Sequence, residues 1–195
     1  MRRTTNALLL FLLLAVLVTG CGSKSKEATP SVPRLPEATT ADEWAERVVD
    51  RLLRPTNKDL EVLLTLNNPQ SKLFIEQGNP DTLLIVNERM SDLGKCSARL
   101  DSIGPPPLDA PHIRQLLRVE DALQRACEHY ADVSKAVLRA VKFMSSGRDD
   151  VITEGEKQLR DAAPDARAGA AAYDEAVRTA QRLAEFRRNG LKPPA

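Results

Sequence analysis

Between Asp109 and Asn189 apolar residues recur at spacings of three and four, and a stretch patterned that way buries its side chains only as helices. Ile113, Leu116, Leu123, Cys127, Tyr130, Val137, Val141 and Met144 share one seam, from an expected cap at Asp109 to Gly147. At 1.5 Å per residue that helix is roughly 50 Å long. A second seam starts near Asp149 or Asp150 and runs through Leu159, Ala162, Ala166, Gly169, Tyr173, Ala176, Ala180 and Leu183 to Asn189, with Gly190 closing it. Pro164 lies inside this seam without changing its phase, which predicts one kinked, continuous helix. Its small residues predict a close helix–helix approach with little room for an internal ligand. Aromatic residues make up only 4% of the chain, so the core has to be aliphatic and no sheet is expected.

The preceding segment is punctuated more often. Thr40-Ala41-Asp42-Glu43 is a capping box, followed by Trp44, Val48, Val49, Leu52 and Leu53 on one face until Pro55 is expected to stop the run. Thr56 or Asn57 then caps a short piece carrying Leu60, Leu63 and Leu64. Asn68-Pro69 opens another, with Leu73, Phe74 and Ile75, closed by Gly78. Each Asn-Pro pair joins a good N-cap to a proline at the first helical position, where the absent N–H is not missed. Asn79-Pro80 starts a longer helix through Leu83, Val86, Met90, Leu93 and Leu100, ending at Gly104-Pro105-Pro106-Pro107. The predicted fold is all-α, an elongated antiparallel helical bundle of three long helices plus short N-terminal helices over residues 40–190, with a tail at 191–195.

The N-terminus has a different character. Arg2 and Arg3 precede an apolar run from Ala7 to Val18, and Thr19-Gly20-Cys21 follows, the layout of an export signal at residues 1–20. The run is shorter than the roughly 20 residues a spanning helix needs, and polar Gly22 to Lys26 follow at once. Val18-Thr19-Gly20-Cys21 resembles a bacterial lipobox. The resemblance implies that the Cys21 thiol takes a diacylglycerol, that fatty-acyl chains such as palmitate anchor the protein stably, and that the mature chain begins at Cys21. Two or three chains hold a protein to a bilayer where one does so only marginally. Residues 21–39 contain prolines and no apolar periodicity, the composition of a flexible lipidated tether. The expected location is the cell membrane, lipid-anchored at the extracytoplasmic face, or an outer membrane where the host has one.

Charge excludes one large class of partner. The chain carries 28 Lys+Arg and 27 Asp+Glu, and removing Arg2 and Arg3 with the leader takes the net charge from +1 to about −1, so no nucleic acid is implied. Arg182, Arg187, Arg188 and Lys192 cluster near the last helix end, as a solvated face or as a contact for anionic headgroups or a partner. Once Cys21 is acylated, Cys96 and Cys127 remain, and in an oxidising compartment such a pair predicts a disulfide. A tight hairpin puts these two about 15 Å out of register, so Gly104 to Asp109 has to act as a rising connector.

Catalytic chemistry finds little to use. The two histidines, His112 and His129, belong to no hydrolase, metalloprotease or phosphate-loop motif, and Cys127-Glu128-His129 is not a ligand set. A haem held by Met90 or Met144 with His112 or His129 lacks a Cys-x-x-Cys-His, and methionines in helical seams pack. Asp149-Asp150, Asp161 and Asp165 sit where caps and helix surfaces want charge. No enzyme, cofactor or metal site is expected. The segment Cys96-Ser97-Ala98-Arg99-Leu100-Asp101-Ser102-Ile103-Gly104-Pro105-Pro106-Pro107, with Ala126-Cys127 beyond it, resembles uncharacterised bacterial secreted lipoproteins of actinobacterial type. That resemblance implies an all-α extracytoplasmic domain and transfers no catalytic residue. The functional expectation is a non-enzymatic binding or scaffolding module with an envelope protein partner. The alternative is a small-ligand carrier or sensor, its ligand held between the short N-terminal helices and the bundle near Trp44, Phe74 and Phe143.

Overall fold

The computed structural model describes residues 32–193 apart from Asn67. The expected leader, Cys21 and the first part of the tether lie outside the described residues. Among the described residues every regular element is a helix: α1 (Ala41–Val48), a π-helical turn (Val49–Leu53), α2 (Arg54–Thr65), α3 (Pro69–Glu76), α4 (Pro80–Leu93), α5 (Cys96–Ile103), α6 (Ile113–Met144), α7 (Asp149–Gln181) and α8 (Ala184–Arg188). The two long helices, of 32 and 33 residues, form the body of the domain. They run antiparallel, since Arg125 meets Glu175, His129 meets Asp165, and Gly155 lies against Ala140 and Met144.

Glycine sets the closeness of this pair. A Cβ on Gly155 would lie 2.8 Å from the Ala140 carbonyl oxygen and 2.7 Å from Met144 Cγ, and one on Gly169 would lie 2.8 Å from the Tyr130 ring. Gly169 of the predicted seam thus makes room for the Tyr130 ring, while Gly155, outside that seam, brings the α7 backbone against α6. Pro164 is accommodated inside a single continuous α7.

Several predicted boundaries move, each for a local reason. Pro55 does not stop the first helix: the chain widens into the π turn, Arg54 N–H reaches back to the Val49 carbonyl, and α2 continues with the proline in its first turn. The long helix expected from Asn79 to Gly104 breaks at Gly94-Lys95 into α4 and α5. There Ser134 on α6 donates to the Met90 carbonyl at 2.6 Å, and only a glycine at position 94 leaves space for its hydroxyl. Arg99 then donates to the Asp92 carbonyl, tying the end of α4 to α5. The body thus has two long helices rather than three. α6 begins at Ile113 rather than at Asp109, with His112 as N-cap, and the final helix stops at Gln181, an extended Leu183 separating α7 from α8.

Other expectations hold. Asn68 Oδ1 accepts from Gln70 N–H at 2.9 Å and Asn79 Oδ1 from Thr82 N–H at 3.0 Å, the two predicted caps. Thr40 Oγ1 accepts from Glu43 N–H, while the Glu43 carboxylate turns to Thr39, whose backbone N–H and hydroxyl donate to it and hold its pKa below the ordinary value. Cys96 and Cys127 form a disulfide with Cα atoms 5.1 Å apart. The connector between α5 and α6, opening with Gly104 to Pro107, supplies the extra reach this bridge demands. The expected tether ends before Thr39, because Leu35 N–H donates to the Ser102 carbonyl at 2.9 Å and Ala38 is buried.

Candidate functional site

An apolar groove of about 440 Å³ opens between α2 and the two long helices. Three stretches of sequence build it. Leu60, Leu63 and Leu64 of α2, with Leu66 just beyond, form one wall, following the three-and-four spacing that makes this helix amphipathic. Tyr130, Val133 and Val137 of α6 contribute another side. On α7 the lining is Leu159, Ala162, Ala163, Ala166 and Ala170, with Arg167 the one charged member. The alanines that let α6 and α7 close on each other leave room where α2 crosses them, so the expectation of little ligand space holds between the long helices and fails beside them.

Leu64, in the groove wall, is 72% exposed. Tyr130 is fully buried, wedged against Gly169 with its ring centroid 6.2 Å from that of Tyr173. Among the described residues its hydroxyl has no hydrogen-bond partner. Tyr173 is satisfied, its hydroxyl lying 3.1 Å from the Leu53 carbonyl and 2.9 Å from Asn57 Oδ1, where it braces the π turn against α7. Burial pushes both phenols above their ordinary range, so both stay neutral, and the Tyr130 O–H is enclosed by protein rather than open to the groove. The groove can hold an apolar molecule and offers few groups to activate one.

The three aromatic residues expected around a ligand are not brought together. Trp44 is wholly enclosed, its ring edge-on to Phe186 at 5.9 Å and its Nε1–H donating to the Gly104 carbonyl at 2.9 Å, so it is a core residue. Phe74 lies on α3, 37% exposed, and Phe143 lies near the end of α6 beside Gly155. None of the three lines the groove. The predicted region, between the N-terminal helices and the bundle, is nevertheless where the groove opens. Its leucines were visible in the sequence as a helix face, but not the gap in front of them.

The histidines are placed apart. His129 Nδ1 lies 3.1 Å from Asp165 Oδ1 across the long helices, and His112 caps α6. Met90 and Met144 are core side chains, and among the described residues no three potential metal ligands gather. The most deeply buried carboxylate is Asp59 on α2, 3.1 Å from Arg99 Nη2 and 3.9 Å from Arg89 Nη1. Burial raises its pKa despite those cations. No helix of the described residues is long and apolar enough to cross a membrane. No family model, curated protein or solved structure matches this chain.

Proposed function

We propose that the chain is a lipoprotein anchored through Cys21 at the extracytoplasmic face of a membrane, and that its elongated antiparallel helical bundle is a non-enzymatic binding module carrying a small apolar ligand. The observation that carries this reading is the leucine- and alanine-lined groove beside α2. Its volume falls within the roughly 300–1,000 Å³ usual for small-molecule sites. Such a ligand would be held by burying apolar surface of Leu60, Leu63 and Leu64 along the groove wall.

The test is mass spectrometry of organic extracts from protein purified out of native membranes, beside an Ala163→Phe variant that fills the groove. A co-purifying apolar compound lost in the variant, with helical circular dichroism retained, supports the carrier. Identical extracts from both proteins count against it. A scaffolding role is the second reading, favoured by Leu73, Leu84 and Ile85 standing exposed on α3 and α4. Crosslinking in native membranes that returns a protein neighbour through these residues supports it. Anchoring is tested separately: mass spectrometry of the N-terminal peptide of membrane-extracted protein should show a diacylglyceryl group on Cys21, and a free Cys21 thiol removes the lipoprotein reading.

A further inference from the structure

A second cavity, of about 470 Å³, lies where α6 begins and α7 ends. Its polar lining is His112, Gln115, Arg118, Thr179, Arg182 and Arg187, with no Asp or Glu among the residues that form it. Arg118, Arg182 and Arg187 are solvent-exposed, so water screens their mutual repulsion, while an anion seated among them is attracted to all three. Their usual counter-charges are not supplied: among the described residues neither Arg118 nor Arg182 meets a carboxylate within ion-pair distance. Glu185, two residues before Arg187, is buried and does not line the cavity, and neither does Glu120, two residues after Arg118. Arg187 is already positioned, its Nη1 donating to the carbonyls of Gln181 and Arg182 at 3.4 and 3.1 Å.

The start of α6 supports the same conclusion independently. A helix N-terminus carries partial positive charge and is ordinarily met by an acid or a capping oxygen in its first turn. This one, on a 32-residue helix, has no acid in its first turn and no side-chain cap, although Ile113 N–H donates to the Ala110 carbonyl and those of Gln115 and Leu116 to the His112 carbonyl; Arg114 and Arg118 add positive charge. Its N-cap, His112, is the sole non-glycine among the described residues with positive φ, at 61°. A left-handed residue other than glycine costs about 1–2 kcal/mol and tends to occur where function imposes it.

We propose that this cavity binds a phosphoryl oxyanion. Arg118, Arg182 and Arg187 supply charge-assisted hydrogen bonds, Gln115 and Thr179 supply neutral donors, and the start of α6 adds its dipole. A lipid phosphate headgroup and a soluble phosphate share this chemistry. The site lies on different stretches of α6 and α7 from the apolar groove and stands without it.

Calorimetric titration of the full chain in a neutral detergent at fixed ionic strength tests the proposal, using inorganic phosphate and glycerol 3-phosphate as probes. Saturable binding is expected, weakened at least about tenfold in R118Q/R182Q, since each lost charge-assisted bond is worth about a decade. Both residues are exposed, so that variant should keep its helical circular dichroism. Arg139→Gln, an exposed arginine outside the cavity, should bind as the parent does. Tighter binding of glycerol 3-phosphate assigns the site to a headgroup, and tighter binding of inorganic phosphate to a soluble ligand. Absence of saturable binding of both probes, undiminished binding by R118Q/R182Q, or an equal loss in R139Q overturns the proposal.

Discussion

Asp59 is 1% exposed on α2, between Arg99 and Arg89, and burial raises its pKa in spite of both. A carboxyl whose folded pKa exceeds its unfolded one takes up a proton on folding. Its contribution to stability is therefore largest at low pH and is lost as pH rises through the folded pKa. At neutral pH the ionised form is a cost that Arg99 offsets. Arg99→Met should thus destabilise the domain by about 3 kcal/mol near pH 7, the cost of leaving a buried charge unpaired. The deficit should shrink as pH falls towards about 4 and Asp59 protonates, which urea denaturation at the two pH values measures. Gly155 gives a second prediction at this scale. Alanine is the better helix former by up to about 1 kcal/mol, but its Cβ would meet the rigid Ala140 carbonyl at 2.8 Å. Gly155→Ala should lower stability by about 1–3 kcal/mol, a shift in thermal midpoint that calorimetry detects.

At the scale of elements, local chemistry was legible and distant chemistry was not. Asn68 and Asn79 act on amides two and three residues away, so the starts of α3 and α4 could be read directly. Pro55 looked like a stop because a proline ring strains an α-helix, yet the widened turn and the Tyr173 hydroxyl, arriving from another helix, hold the chain in helical form. The break at Gly94 depends on Ser134, far along the sequence, and no local pattern announces it. The groove was hidden for the same kind of reason: leucine spacing fixes the face of α2, whereas its stand-off from Ala162 and Ala166 is set by packing elsewhere. The cysteine pair was legible because, with Cys21 set aside in the expected leader junction, Cys96 and Cys127 are the two that remain. The bridge joins residues 31 apart, so Cys96→Ser/Cys127→Ser should cost about 3–4 kcal/mol if chain entropy dominates. Denaturation of the variant against the oxidised parent gives that difference.

Across the whole molecule, the beginning and end of the domain fold against each other. Arg188 holds Asp42 in a forked pair at 2.7 Å, Asn189 donates to the Asp42 carbonyl at 3.2 Å, and Phe186 packs on Trp44. These contacts join parts of the chain 146 and 147 residues apart. Deleting residues 184–195 should uncover Trp44, the single tryptophan, and move its emission to longer wavelength while most helical signal persists. Emission unchanged by the deletion would mean that the indole is shielded by α1 and the Gly104 connector alone.

The pairing of Asp42 with Arg188 also has a practical bearing on how the protein is labelled. A reporter fused behind residue 193 emerges close to the start of α1, which Arg188 and Asn189 hold through Asp42, and there it competes for space with that helix. The turn at Ser145–Arg148 lies at the other end of the paired long helices, roughly 48 Å away by helix length, and a dye or epitope inserted there would be clear of that crowding.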